Sequence, residues 1–351
     1  MNAPTQPPFT LPARARDAHK GTAGTVVVIG GSSSGGRLMI GAPALTARAA
    51  LRSGAGLAKI VAPRAVLPHA LTLCPSATGI VLETDISGEL IAHEAAETFD
   101  AVAQEADCIA IGPGLGVNDA ARALCLRAVQ QEDVPVVVDA DAITNLAHVP
   151  ELTRDFHGAC ILTPHPGEFR RIAQSLDIPH DPVNPATRPA AAEQLAQRLG
   201  CIVVLKGAGT IVTNGHDTWT CDAGHPCLAT AGTGDVLTGL IAGLVAQFLP
   251  RARGQGLGGV GGVSTTDLHA LARARLSGQP APAPAAPSLT LLTLAKIAVW
   301  THARAGEVWA HTHGAQAGLL AIDLTDLLPG VLATATANET PGQEVPSSTR
   351  G

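Results

Sequence analysis

Short apolar runs rich in valine, isoleucine and leucine alternate along this chain with longer stretches in which apolar residues recur every three or four positions. The short runs are Thr25–Gly30, Leu57–Ala62, Asp107–Ile111, Val134–Val138, Ala159–Leu162 and Cys201–Leu205, with a weaker one at Ile80–Leu82. The longer stretches at Ile40–Ser53, Gly88–Ala106, Asp119–Gln131 and Ala190–Leu199 read as helices. Strands apolar at every position are covered on both faces, and short strand–helix–strand units close in parallel. The pattern predicts an α/β fold: a mostly parallel sheet with helices on both faces. Asn214-Gly215, between Ile211–Thr213 and Thr218–Cys221, predicts a β-hairpin.

Further along, Val236, Leu237, Leu240, Ile241, Leu244 and Val245 form the apolar face of a helix that follows directly on Thr230-Ala231-Gly232-Thr233-Gly234-Asp235. Leu294–Ala310 and Leu319–Leu328 are the last helical stretches. Between them and the preceding helix, about 252–293, the chain is first glycine-rich and then Pro/Ala-rich. It reads as an insertion, with Thr265–Leu276 a short helix inside it. Residues 1–20 read as a loose arm, 21–330 as one domain and 331–351 as a disordered tail.

Composition narrows the class. The hydrophobic fraction of 46% over 351 residues is ample for a core, and a net charge of −6 argues against a nucleic-acid surface. With no Tyr, 5 Phe and 3 Trp there is little from which to build a base-stacking platform. The 7 Cys are scattered without a CxxC pair, so neither a disulfide framework nor a structural zinc is expected. Residues 1–20 contain no apolar segment of the signal-peptide kind, and no run is long enough to span a bilayer. A cytoplasmic protein is expected.

The polar and glycine motifs gather where strands end, the edge at which open α/β sheets bind ligands. Gly30–Gly36 follows the first strand but lacks the dinucleotide fingerprint. Gly112–Gly116 is either a ligand loop or a plain strand-to-helix turn. Asp139 and Asp141 either hold metal-bound water or cap the short helix after them, the cap being favoured. His165, between two prolines, is either presented to a ligand or caps a loop. Lys206, at a strand end backed by glycines, suits a phosphate as a point charge. Gly232 and Gly234 let backbone N–H groups converge at a helix N-terminus, which favours anions, and Asp235 lies in that helix's first turn. A carboxylate beside an anion hole suits a hydroxyl that loses its proton as a phosphoryl group arrives.

Several motifs together resemble the ADP/ATP-dependent NAD(P)H-hydrate dehydratases, a branch of the ribokinase-like superfamily. They are Gly41-Ala42-Pro43-Ala44-Leu45, Ala49–Leu57, Ile111–Gly116, Val138-Asp139-Ala140-Asp141-Ala142, Leu162–Phe169, Val204-Leu205-Lys206-Gly207, Ala229–Gly239 and Gly318–Leu324, in the family's order. The resemblance implies a ribokinase-like fold and assigns roles by position. Asp235 matches the acidic residue at the reacting hydroxyl. Ala42, Gly114 or Gly116, His165 and Asp235 match contacts to the hydrated nicotinamide. Lys206, Gly207, Ala208, Gly209 and Thr210 match adenine-nucleotide contacts, with Gly232, Thr233 and Gly234 forming the anion hole. Glu168 falls where relatives carry a glutamate that holds Mg²⁺ through water.

The implied activity is repair of a damaged cofactor: dehydration of the S epimer of NADHX or NADPHX to NADH or NADPH, with Mg²⁺ and with ADP as co-substrate giving AMP and phosphate. A homo-oligomer, a homotetramer in the family's manner, and a separate epimerase acting on the same metabolites go with it. Some relatives carry the epimerase as an N-terminal domain; with about 20 residues before the first strand, that domain is expected to be absent. Alternative readings are a ribokinase-like kinase of a small hydroxyalkyl heterocycle such as a thiazole, and a nucleotide-binding sensor without catalysis. Two departures from the family pattern stand out. Ala231 replaces a glycine of the turn, where a methyl group narrows nucleotide approach or forces a negative φ. The insertion at 252–293 is also longer than the family pattern.

Overall fold

The computed structural model describes residues 6–249 and 289–337. Its strands are β1 (Thr25–Ile29), β2 (Leu57–Pro63), β3 (Thr78–Leu82), β4 (Cys108–Ile111), β5 (Val136–Val138), β6 (Cys160–Leu162), β7 (Ile202–Leu205), β8 (Ile211–Thr213) and β9 (Thr218–Thr220). Its helices are α1 (Gly41–Arg52), α2 (Leu67–Leu73), α3 (Ala92–Ala103), α4 (Asp119–Gln130), α5 (Asp141–Leu146), α6 (Leu152–Asp155), α7 (Pro166–Ser175), α8 (Arg188–Leu199), α9 (Thr233–Phe248), α10 (Leu291–His313) and α11 (Ala321–Thr334).

One nine-stranded sheet runs β3-β2-β1-β4-β5-β6-β7-β8-β9. Every pairing from β3 to β7 is parallel, and the β7–β8–β9 edge is antiparallel. The alternation of side chains along each strand divides the core in two. Val26, Val28, Val137 and Ile161 join the layer of α1, α2, α9, α10 and α11, whereas Val27, Ile29, Val136 and Leu162 join that of α3 to α8. The predicted α/β class with both faces covered is what forms. The strand order reverses between β1 and β4, which puts the loops after those strands side by side: Gly31 N–H donates to Pro113 O at 2.9 Å.

The tightest helix contact is α1 on α9. A Cβ on Gly239 would lie 2.0 Å from Thr46 O, and one on Gly243 2.0 Å from Ser53 Oγ. Glycine four residues apart lets the two backbones touch, and this fixes where the first turn of α9 sits relative to the start of α1.

Three expectations change. Leu11 is not part of a loose arm: its N–H donates to Ala335 O at 2.7 Å, Ala337 N–H donates to its carbonyl at 2.8 Å, and its side chain is 3% exposed in the α1–α9–α11 core. One apolar residue in a proline-rich stretch carries no periodicity by which to find it. Helix α11 runs past both Pro329 and residue 330 to Thr334, because Val331 and Leu332 are buried, so its last residues are not tail. Helix α10 starts at Leu291, inside the range read as insertion; Thr290 caps it, accepting from Thr293 N–H. The Thr265–Leu276 helix and the residues beyond 337 lie outside the described residues. Helices α2, α6 and α7 are not among the expected ones, being short or starting inside motif-rich loops, whereas α5 is the short helix expected after Asp139 and Asp141.

Candidate active site

The site forms at the carboxyl edge of the sheet, around the start of α9. Gly232, at φ +87, is the residue before the helix and needs the left-handed conformation that glycine adopts freely. Ala231 takes no positive φ and is exposed, so the turn accommodates its methyl group. The Thr233 hydroxyl donates to Leu228 O at 2.9 Å and Thr230 O at 3.0 Å, tying the turn to itself. The N–H groups of this first turn have no carbonyl within the helix to bond and carry the positive end of its dipole.

Asp235 lies on that turn. Its carboxyl is pushed up to about 7, first by burial and then by the negative charge of Asp139, with Lys206 pulling the other way. A carboxyl poised near neutrality can take a proton and pass it on. The backbone carbonyl of Asp235 accepts from Thr46 Oγ1 at 3.2 Å, and the same hydroxyl lies 3.0 Å from Ala42 O. Thr46 therefore couples Asp235 to Ala42, a pairing invisible at their separation in the chain.

Beneath the turn is a buried ionic cluster. Asp139 accepts from Lys206 Nζ at 2.6 Å, Thr163 Oγ1 at 2.7 Å and Thr238 Oγ1 at 2.7 Å. It is 1% exposed and joins the ends of β5, β6 and β7 to α9. Burial alone would raise its pKa, but the Lys206 charge and the three donors outweigh burial and hold it below the ordinary range. Lys206, penalised by burial, is kept protonated by Asp139 and Glu168, the latter at 3.7 Å. Asp139 is thus no helix cap: helix α5 starts after Ala140, whose φ of +50 turns the chain so that the Asp139 carboxylate faces inward. Nor is Lys206 an unpaired point charge, although Nζ sits next to Gly234 at the anion turn. Asp141 instead accepts from Gly116 N–H at 2.9 Å.

His165 caps α7. Its Nδ1 accepts from Gly167 N–H at 2.9 Å and Glu168 N–H at 3.2 Å, while Glu168 Oε2 accepts from His165 N–H at 2.8 Å. An Nδ1 that accepts leaves the proton on Nε2, which is 3.2 Å from Glu168 Oε1. Burial and then the Lys206 charge lower the His165 pKa, so the half-exposed ring is a neutral donor through Nε2. Of the two alternatives in the sequence, the cap is what the structure shows on Nδ1, and Nε2 lies against Glu168.

At the start of α1, Gly114 packs against Met39 and Ala42. Gly116 is spent within the loop: its N–H goes to Asp141 and its carbonyl to Asn145 Nδ2 at 2.8 Å. Lys206, Gly207, Ala208, Gly209, Thr210, Thr233 and Gly234 line a cavity of about 800 Å³, together with Leu237, Val299 and His302. Gly232 shapes the turn without lining it. Arg188, 7% exposed, holds the 205–207 loop by donating to Leu205 O and Lys206 O, each at 2.8 Å. Asp235 directly follows Thr233 and Gly234 of the cavity lining, and the Thr46 hydroxyl ties its backbone to Ala42.

Sequence reasoning missed Thr46, Thr163, Arg188, Thr238 and His302. Thr238 carried a signal, since three residues after Asp235 is the same helix face. Thr163 stands at a strand end inside the Leu162–Phe169 motif, though no role was assigned to it. For Thr46, Arg188 and His302 nothing local marks the role.

Comparisons with known proteins place the chain in a family. A family model described as NAD(P)H-hydrate dehydratase matches residues 26–330. The bifunctional NAD(P)H-hydrate repair enzyme Nnr of Coxiella burnetii is 39% identical over 245 residues, 69% of this chain and 45% of that protein. The chain spans about half the length of the curated relatives it matches. Among solved structures, the ADP/ATP-dependent NAD(P)H-hydrate dehydratase from Bacillus subtilis, co-crystallised with ATP and Mg²⁺, is 27% identical with a TM-score of 0.65, over 94% of this chain and 99% of that one. A ribokinase-like superfamily protein from Enterococcus faecalis, 24% identical over 93% of each chain with a TM-score of 0.65, shares the fold. With the family model covering most of its length and the motif residues gathered on one sheet edge, this chain belongs to the NAD(P)H-hydrate dehydratase family.

Proposed function

We propose that the protein dehydrates the S epimer of NADHX and NADPHX, restoring NADH and NADPH while ADP is converted to AMP and phosphate. The observation that carries this reading is that Asp235, a carboxyl near neutrality on the first turn of α9, directly follows Thr233 and Gly234 of the cavity bounded by Lys206–Thr210 and is tied through the Thr46 hydroxyl to Ala42, which with Gly114 forms a first wall. A saturated nicotinamide carrying a hydroxyl fits the first wall, beside the Nε2–H of His165. The adenine nucleotide fits the cavity. Asp235 takes the proton of the hydroxyl as its oxygen attacks the terminal phosphorus of ADP, and AMP leaves. The ring nitrogen then expels phosphate from the carbon, and loss of a proton from the neighbouring carbon restores the dihydropyridine. The N–H groups at the start of α9 meet the charge that develops on the phosphoryl oxygens.

The residues also fit the use of Mg²⁺ through water. Among the described residues no group of three or more His, Cys, Asp or Glu could hold a metal ion. The Asp139 oxygens are taken up by three donors, and Glu168 already serves His165 N–H. Glu168 would therefore be the residue to hold the ion, by way of water. When bound, Mg²⁺ offsets phosphate charge. In the same reading the protein works in the cytoplasm as a homotetramer, with a separate epimerase supplying the S form. Among the described residues no helix is long and apolar enough to cross a membrane.

The test is incubation with NADHX, Mg²⁺ and either ADP or ATP, following absorbance in the reduced-nicotinamide band. Recovery with ADP and not ATP is the expected result. Recovery with neither nucleotide overturns the proposal, and phosphorylation of a hydroxyethylthiazole in its place would favour a kinase.

A further inference from the structure

His302, on α10, enters the site without any signal in the sequence. Its Nε2 is 2.9 Å from Thr233 O, within the first turn of α9. A carbonyl oxygen only accepts, so Nε2 carries the proton and Nδ1 bears a lone pair. In two other helical histidines of this protein Nδ1 is instead the protonated nitrogen and donates within the helix. In His148 and His313, Nδ1 turns back to the carbonyl four residues earlier, Thr144 O and Trp309 O, each at 2.8 Å. His302 has no such bond: among the described residues its Nδ1 has no partner. The ring lines the 800 Å³ cavity, with Val299 and Ala303 of the same helix and Leu237 of α9 as apolar neighbours.

Protonation does not resolve the mismatch. Burial foremost, with the Lys206 charge adding to it and the Thr233 carbonyl opposing, brings the ring down to about 4. At neutral pH His302 is therefore uncharged. It attracts no phosphate by charge, and the feature it offers the cavity is an acceptor of fixed direction. A molecule that fills the cavity displaces water from this nitrogen, so one that donates to it keeps the bond and one that presents an acceptor leaves it unpaired.

We infer that His302 is a specificity-determining residue that accepts, through Nδ1, a hydrogen bond from a hydroxyl or amino group of the bound nucleotide, while Nε2–H anchors the first turn of α9. The inference rests on the reading of this cavity as the adenine-nucleotide site. Two nucleotide groups share the required chemistry: the ribose hydroxyls and the exocyclic amine of adenine. An inosine or guanine nucleotide presents a carbonyl in place of that amine.

The two ring nitrogens can be tested apart. His302→Asn puts an acceptor near the position of Nδ1 and gives up the Thr233 bond. His302→Gln puts a donor near Nε2 and gives up the acceptor. KM and kcat are measured for ADP, 2′-deoxy-ADP, 3′-deoxy-ADP and inosine diphosphate with the wild type, both variants and His302→Leu, which offers neither nitrogen. For the wild type, removing the donor that His302 reads raises KM about tenfold, the loss expected of one hydrogen bond. His302→Asn keeps that preference, and His302→Gln and His302→Leu abolish it, the change falling in KM more than in kcat. The analogue that loses the preference identifies the ribose or the base as the donor. Equal losses for all four nucleotides in every variant would reduce His302 to a structural clamp and overturn the inference. So would a wild type that prefers none of them. If the wild type binds no adenine nucleotide by calorimetry, the reading of the cavity falls as well, whereas normal ADP binding with unchanged preferences in His302→Gln removes this inference alone.

Discussion

Asp139 and Lys206 form a buried ion pair, 2.6 Å from Oδ1 to Nζ, that ties the ends of β5 and β7 directly under Asp235. Each residue depends on the other. Without Asp139, Lys206 retains Glu168 at 3.7 Å. Breaking a buried pair from one side costs about 3–5 kcal/mol. Asp139→Asn should therefore lower stability by roughly that amount in urea unfolding. It should also lower the apparent pKa of Asp235, because Asp139 is one of the charges that raise it. An unfolding midpoint equal to the wild type would contradict the role of the pair.

Asp235→Asn keeps the size of the side chain and removes the proton acceptor. Turnover of NADHX should fall by at least about a hundredfold, as general-base removal does. Circular dichroism and ADP affinity should stay close to wild type. Retained turnover would dismiss Asp235 as the base.

Activity should rise with pH through about 7 as Asp235 loses its proton. Stability moves the opposite way. The folded-state pKa lies above the unfolded value of about 3.9, so the protonated carboxyl favours the native state fully below that value. The contribution is lost as pH climbs towards 7. Asn at 235 has no charge to bury, so Asp235→Asn should be more stable than wild type at pH 8, by at most about 4 kcal/mol. The two proteins should converge near pH 4. Parallel stability–pH curves would sink the argument.

Gly239→Ala introduces a Cβ 2.0 Å from Thr46 O. Overpacking of this kind costs about 1–3 kcal/mol. It also pushes α9 away from α1, and so Asp235 away from Ala42. Thermal unfolding should register the cost, and kcat should fall even where the variant is fully folded.

Ala231→Gly tests the one departure inside the turn. Ala231 is exposed and takes no positive φ, so glycine relieves no strain there and adds freedom to the unfolded chain. KM for ADP should change less than about twofold, with stability equal or lower by up to about 1 kcal/mol. A large gain in ADP affinity would mean that the methyl group obstructs the nucleotide.

Much of this protein was legible in one dimension. The unbroken apolar strands and periodic helices determined a parallel sheet covered on both faces, because burial on two sides demands apolar residues at every position. Asn214-Gly215 determined the hairpin, and the run from Gly232 to Asp235 placed a carboxylate at a helix N-terminus. These features are local: backbone freedom at glycine, periodicity and helix polarity act within a few residues. Tertiary structure alone decided the state of the charges. Lys206 meets Asp139 across 67 positions, Thr238 meets Asp139 across 99, and Thr46 reaches Asp235 across 189. Whether Asp139 caps a helix or neutralises a lysine, and whether Asp235 titrates near 4 or near 7, depends on burial and on partners that only the packed sheet and the α1–α9 contact bring together. Coulomb energy and desolvation act through space, and no spacing along the chain encodes them.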